Sequence, residues 1–228
     1  MEKQPVLVAL DGPVSAGKSS LADEAARRLG ILHLDTGAMY RAVGLAALHS
    51  GIDPMDERAV VEMVQQGRAQ VDIRFEGGRQ QTLLNGENVD EAIRTQEAGS
   101  AASAVSRCPE VRRYLVARQQ KLAENISMIV DGRDIGTVVL PGAKAKIFLS
   151  AAPEVRARRR YEQLLQKGMP ADYEEVLKEL LARDRQDTER KTDPLRRAED
   201  AVALDTSTLT FNESVEAILA IVKEAYDN

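Results

Sequence analysis

A chain of 228 residues with 43% apolar content is long enough to bury one full core with a sizeable insertion, or two small cores. Its net charge of −5, from 31 Lys and Arg against 36 Asp and Glu, argues against a general affinity for nucleic acid. A single cysteine, Cys108, rules out an internal disulfide framework, and no Cys/His cluster has zinc-ligand spacing, so the chain reads as a protein of a reducing cytoplasm without a structural metal.

The leading apolar run, VLVAL at 6–10, is too short for a signal-peptide core and reads as a buried strand. No stretch approaches the roughly 20 apolar residues of a membrane span, so no membrane partner is expected. A helix-period segment follows at 18–29, then the apolar run ILHLD (31–35) and a helix over 38–49. Residues 51–126 are too long for one crossover and change texture: VDIRF, the turn EGGR, then QTLLNG predict a β-hairpin in a small antiparallel insertion. A helix over 109–124 comes next, then strands SMIVD (127–131) and AKIFLS (145–150), helices over 153–167 and 173–186, strand AVALD (201–205) and a helix over 212–226. The strands are mostly continuous rather than alternating, which suits a parallel sheet buried on both faces, and their alternation with helices predicts an α/β fold with right-handed crossovers. There is no internal repeat and no low-complexity tail.

The first strand runs into GPVSAGKS: Gly12, Pro13, Val14, Ser15, Ala16, Gly17, Lys18 and Ser19. This is G-x-x-x-x-G-K-[ST] in its proper context, after a strand and opening a helix, and it predicts a cradle for the phosphates of a nucleoside triphosphate. Glycines let backbone N–H groups turn inward, and the unsatisfied amides of the following helix add attraction for anions. Lys18 reaches the β- and γ-phosphates, Ser19 is placed for Mg²⁺, and Ser20 is counted with the loop. Asp11, just before the loop, is read as a local hydrogen-bonding group. A GTP-dependent switch would need Asn-Lys-x-Asp and D-x-x-G, and neither occurs, which shifts weight from a switch or assembly ATPase toward a kinase.

Three further stretches lie where strands or late helices end, the place where open α/β sheets bind ligands: LDTGAMYR (34–41), VDGRDIG (130–136) and RDRQDTER (183–190). With the loop and IRTQEAGSAAS (93–103), they closely resemble the bacterial cytidylate kinases, enzymes that phosphorylate CMP and dCMP from ATP, over nearly the whole chain. The resemblance implies a P-loop nucleoside monophosphate kinase fold: a five-stranded parallel core sheet flanked by helices, a small β-containing acceptor-binding insertion and a helical lid. It assigns 1–55, 106–151 and 191–228 to the core, 56–105 to the insertion and 152–190 to the lid.

By position, the resemblance implies that Thr36, Tyr40 and Arg41 line the CMP phosphate, with Arg41 as its clamp, and that Ser103, Arg112 and Asp134 read the cytosine. Arg133 then helps to bind the acceptor phosphate, Asp187 takes a sugar hydroxyl, and Arg183 and Arg190 bridge donor and acceptor phosphates. Lys18, Arg133, Arg183 and Arg190 carry catalysis, and Asp131, closing a strand, joins Ser19 at Mg²⁺. Cytosine offers an amino donor beside two acceptors, so an Asp, an Arg and a Ser form a chemically apt set, and Asp134 should disfavour UMP.

The arginine run RARRRYEQ (156–162) resembles the start of the lid; Arg159 or Arg160 is expected at the ATP phosphates, and Arg156 and Arg158 as surface ion-pair formers. Residues 151–200 hold 12 acids and 12 bases, which is no polycationic patch, so no nucleic-acid partner is expected. Asp193, Arg196 and Arg197 receive no role. His33 and His49 read as structural, Cys108 as a buried or helix-start residue rather than a nucleophile, and Tyr114, Tyr161 and Tyr173 as packing or stacking groups. A monomer is the default. The rival enzymes are other small P-loop kinases, for UMP, AMP or shikimate.

Overall fold

The computed structural model describes residues 5–227. Five strands form one sheet: β1 (Leu7–Asp11), β2 (Leu32–Asp35), β6 (Met128–Gly132), β7 (Ala145–Ser150) and β8 (Val202–Asp205). They are parallel and ordered β2-β6-β1-β7-β8. Register is set by residue pairs such as Leu10 with Ile147 and Leu149 with Leu204. All five were legible as apolar runs. β8 departs from the expected burial on both faces, with Val202 47% exposed, because it lies at the sheet's edge with β7 on one side only.

The chain packs as two compact units. One holds residues 31–128: β2, α2 (Thr36–His49), α3 (Glu57–Gln65), β3 (Val71–Glu76), β4 (Arg79–Leu84), β5 (Glu87–Asn88), α4 (Gln96–Val105) and α5 (Pro109–Ala123). The expected hairpin is β3 with β4, closed by Gly77 and Gly78 at φ 56° and 77°, the left-handed pair that a two-residue turn between twisted strands demands. Two helices beyond the predicted ones, α3 and α4, also belong here. Asp56 caps α3 through Ala59 N–H, and Thr95 caps α4 through Ala98 N–H. The small Gly, Ser and Ala side chains of α4, GSAAS, permit close packing on α2: a Cβ added at Gly44 would lie 2.8 Å from that of Ala101.

The other unit holds residues 6–30 and 129–227: β1, α1 (Lys18–Leu29), most of β6, a five-residue π-type turn at Ile135–Val139, β7, α6 (Pro153–Gln166), α7 (Tyr173–Glu189), β8 and α8 (Phe211–Asp227). Val8, Leu10, Ile129, Ile147, Leu149 and Ile218 form its buried centre. Tyr226 Oη ties α8 to β1, donating to the Leu7 carbonyl at 2.9 Å and accepting from its N–H at 2.8 Å. The expected 56–105 insertion falls inside the first unit, which also takes in 31–55 and 106–128; the 152–190 segment, essentially α6 and α7, falls inside the second. Among the described residues, no helix is long and apolar enough to cross a membrane.

Candidate active site

The loop between β1 and α1 is built for close approach. A Cβ on Gly12 would lie 2.1 Å from the Leu149 carbonyl oxygen, so only glycine lets the loop leave the sheet there. Ser15 holds a left-handed φ of 57°, and Gly17, at φ 89°, caps α1 with no side chain over its N–H groups. The first turn of α1 is therefore presented as an anion site. Pro13, Val14 and Ser15 are partly exposed, Ala16 is buried, and the hydroxyls of Ser19 and Ser20 lie on exposed residues at the helix start.

Lys18 is buried, its ammonium donating to the Pro13 carbonyl at 2.8 Å. Burial pushes its pKa from 10.5 down to about 7; Arg133 adds to the fall, and Asp131, Asp187 and Asp11 oppose it. Ser19 Oγ donates to Asp131 Oδ2 at 2.9 Å, which sets a hydroxyl and a carboxylate oxygen side by side at the end of buried β6. A pair of hard oxygen donors of this kind suits Mg²⁺.

Asp11 does more than its sequence position suggested. Its Oδ1 accepts from Ile135 N–H and its Oδ2 from Gly136 N–H, both at 2.7 Å and buried, so β1 holds the start of the π-type turn that follows Arg133 and Asp134. Burial still raises its pKa from 3.8 to about 6, against the two amides, which lower it.

The third arginine-rich stretch is the end of α7. Arg133 Nε donates to Asp187 Oδ2 at 2.7 Å, and Arg190 lies 3.5 Å from Asp134 Oδ1 while its guanidinium donates to the Asp193 carbonyl. Burial raises the Asp187 carboxyl, but Arg133, Arg190 and Arg183 together hold it below its ordinary value. Burial likewise disfavours the charged Arg133, and Asp187 and Asp131 more than compensate. Arg183 stands exposed on the same helix. This unit thus sets Lys18, Ser19, Asp131, Arg133, Asp134, Asp187 and Arg190 in a connected group of hydrogen bonds, ion pairs and facing charges.

Within residues 31–128, Arg41 Nη2 pairs with Asp35 Oδ2 at 2.7 Å. Asp35 also caps α2 through Ala38 N–H, and Gln80 of the hairpin takes its backbone N–H at 2.8 Å, so the start of α2 is pinned from two sides. Thr36 is buried one residue on, and Tyr40 and Arg41 follow a turn later. Arg112, only 1% exposed, stacks its guanidinium 5.5 Å from the centre of the Tyr40 ring and donates to the Ser106 carbonyl at 3.3 Å. Ser103 lies on α4, partly exposed.

Other expectations divide. Arg156 is the correction: not a surface residue but 4% exposed, paired with Asp184 at 2.7 Å, because α6 turns that face toward the phosphate loop. Arg158 is exposed as expected, but among the described residues it lies over the Tyr161 and Tyr173 rings rather than in an ion pair. Arg159 donates to the Thr206 carbonyl at 2.7 Å, just beyond β8. Arg160 donates to Gln163. Tyr114 packs structurally, its Oη donating to the Ala69 carbonyl and accepting from Val71 N–H. Cys108 is buried at the start of α5. His33 is buried in β2, and His49 is exposed in the last turn of α2. Sequence reasoning missed Asp184 altogether; its only signal was the density of charge in RDRQDTER.

The chain matches the family profile described as "Cytidylate kinase" over residues 8–224. It is 46% identical over 222 residues to a cytidylate kinase of Geobacillus kaustophilus, covering 97% of this chain and 98% of that one. It is 47% identical over 219 residues to a cytidylate kinase of Caldanaerobacter subterraneus subsp. tengcongensis, covering 96% and 95%. Among solved structures, a gluconokinase from Sinorhizobium meliloti superposes with a TM-score of 0.51 at 15% identity, covering 100% of this chain and 97% of that one, a likeness of fold alone. A phosphate loop with its lysine, hydroxyl and strand-end carboxylate in place, and matches of this length and identity, make the chain a member of the cytidylate kinase family.

Proposed function

We propose that this protein transfers the γ-phosphoryl group of ATP to CMP and dCMP, giving CDP and dCDP with ADP. Membership of the family supports the reaction, and the observation that carries it at the site is the Lys18, Ser19 and Asp131 group under the helix start. Gly12 to Ser20 hold the triphosphate, with Arg159 at the ATP side. Thr36, Tyr40 and Arg41 hold the acceptor phosphate, and Ser103, Arg112 and Asp134 read the base. Asp187 takes the ribose, and residues 152–190 close as a lid. Mg²⁺ would be held by Ser19 and Asp131, the latter through water, and when bound it supplies charge neutralisation at the β- and γ-phosphates.

An acceptor phosphate oxygen attacks the γ-phosphorus in line, and the bond from that phosphorus to the β-phosphate bridging oxygen breaks, leaving ADP. The nucleophile is already an anion, so no strong general base is needed. The barrier is the mutual repulsion of two anions and the charge spreading over the transferred group. Lys18, Arg133, Arg183 and Arg190 meet that charge, and their effect grows as water leaves. Asp187 holds Arg133 in orientation, and Arg190 is steadied by the Asp193 carbonyl.

ADP formation from MgATP with a panel of monophosphates tests the reading. CMP and dCMP should lead, and UMP, which presents an acceptor where cytosine presents a donor to Asp134, should trail; equal or faster turnover of UMP or AMP, or ADP formation as fast without an acceptor as with CMP, would refute it. Asp134→Asn should reduce the preference for CMP over UMP. We further propose a cytoplasmic monomer, a reading supported by its nucleotide substrates and by cysteine usage limited to Cys108.

A further inference from the structure

The peptides on either side of Val14 are gripped by two side chains that no part of the phosphate-binding motif contains. Val14 N–H donates to Asp184 Oδ1 at 3.2 Å. Arg156 Nη1 donates to the Val14 carbonyl at 3.0 Å and pairs with Asp184 Oδ2 at 2.7 Å. Arg156 is itself anchored, its Nε donating to the Ala151 carbonyl at 2.8 Å just before α6. A closed ring results: amide, carboxylate, guanidinium, carbonyl. It constrains both backbone dihedrals of Val14, and both side chains sit largely out of water, at 5% and 18% exposure.

The residue that follows is Ser15, at φ 57°. A non-glycine residue in that region stores strain that its surroundings must hold. The strained turn carries the chain from Val14 to Ala16 and Gly17, where α1 begins. We propose that Arg156 and Asp184 are positioning residues that clamp Val14 and so preset the phosphate loop, sparing the triphosphate the cost of ordering it. The inference rests on the loop binding ATP, as proposed above. The carboxylate accepts the Val14 N–H, and the guanidinium takes the carbonyl whose orientation fixes the next peptide. A loop that adopts the binding form only part of the time binds more weakly in proportion to that fraction.

An ion pair that merely joined α6 to α7 would serve equally well with its charges exchanged. Arg156→Asp combined with Asp184→Arg keeps the attraction but places a donor against the Val14 N–H and an acceptor against its carbonyl. Binding of MgATP by titration calorimetry, thermal unfolding and the kcat and KM of the CMP reaction are measured for this reversed pair, for Asp184→Asn and for Arg156→Lys. Loss of one charge-assisted contact in the ring should weaken MgATP about tenfold in each single variant, seen as raised KM for ATP with kcat at saturating ATP changed far less. The reversed pair should recover unfolding temperature relative to Asp184→Asn, but not ATP affinity. Recovery of affinity along with stability, or single variants that bind MgATP as the parent does, would overturn the clamp while leaving the proposed reaction standing. Should the reversed pair fail to fold, the near-isosteric Asp184→Asn decides alone. A parent chain that binds no ATP refutes the proposed function, and the clamp falls with it.

Discussion

Binding of MgATP near pH 8 should draw close to one proton from solvent onto Lys18. The ammonium is 6% exposed and donates to the Pro13 carbonyl, and burial holds its pKa at about 7 rather than 10.5. About one-tenth of the ligand-free molecules then carry the charge at pH 8, and about nine-tenths at pH 6. A triphosphate beside the ammonium supplies the opposite charge that burial lacks and returns the pKa above neutral by several units. Uptake should therefore be about 0.9 proton at pH 8 and about 0.1 at pH 6. Titration calorimetry in buffers of differing ionisation enthalpy reads this number directly as the slope of apparent enthalpy. Lys18→Met should bind ATP more weakly and lose the uptake. No uptake at pH 8 in the parent chain, or the same uptake in Lys18→Met, would refute the reasoning. The sign also applies to stability. Lys18 has a depressed pKa when folded, so the unfolded chain binds more protons between pH 7 and 10.5, and the ligand-free protein loses stability as pH falls through that window. Asp11 runs the other way: raised from 3.8 to about 6, it favours the folded state below pH 4 and that contribution is lost as pH rises through 6.

Arg183→Ala should lower kcat by about 10³ to 10⁵, the range for a cation acting on the transferring group, with ATP affinity nearly unchanged; single-turnover rates and ATP titration check it, and lost affinity with normal turnover would remove the assignment. Gly12→Ala must displace either the loop or the Leu149 carbonyl, which a Cβ would approach to 2.1 Å, and should cost about 3 kcal/mol, read as a fall of about 6–12 °C in Tm. An unchanged Tm would show that the sheet yields there.

Much of the architecture was legible because its signals are local. Continuous apolar runs marked the five sheet strands, paired glycines marked the β3–β4 hairpin, and Gly17 with Lys18 marked the start of α1. α3 and α4 were not legible. They are short, and the place of α4 is decided by close packing on Gly44 of α2, a distant partner in sequence. Arg156 was misread for a related reason: a run of four charged neighbours on one helix does not announce which of them faces inward.

By itself the sequence determined that a triphosphate-binding loop follows the first strand, because glycine spacing, a lysine and a helix start act over eight consecutive residues. It also carried the family through motifs matched in order. Only the tertiary structure decided what holds that loop. Asp11 reaches amides at 135 and 136, Asp131 meets Ser19, and Arg156 and Asp184 enclose Val14. Each of those bonds joins residues more than a hundred positions apart, and each exists because burial leaves a charged group no water to bind, so it takes whatever partner the fold brings within reach.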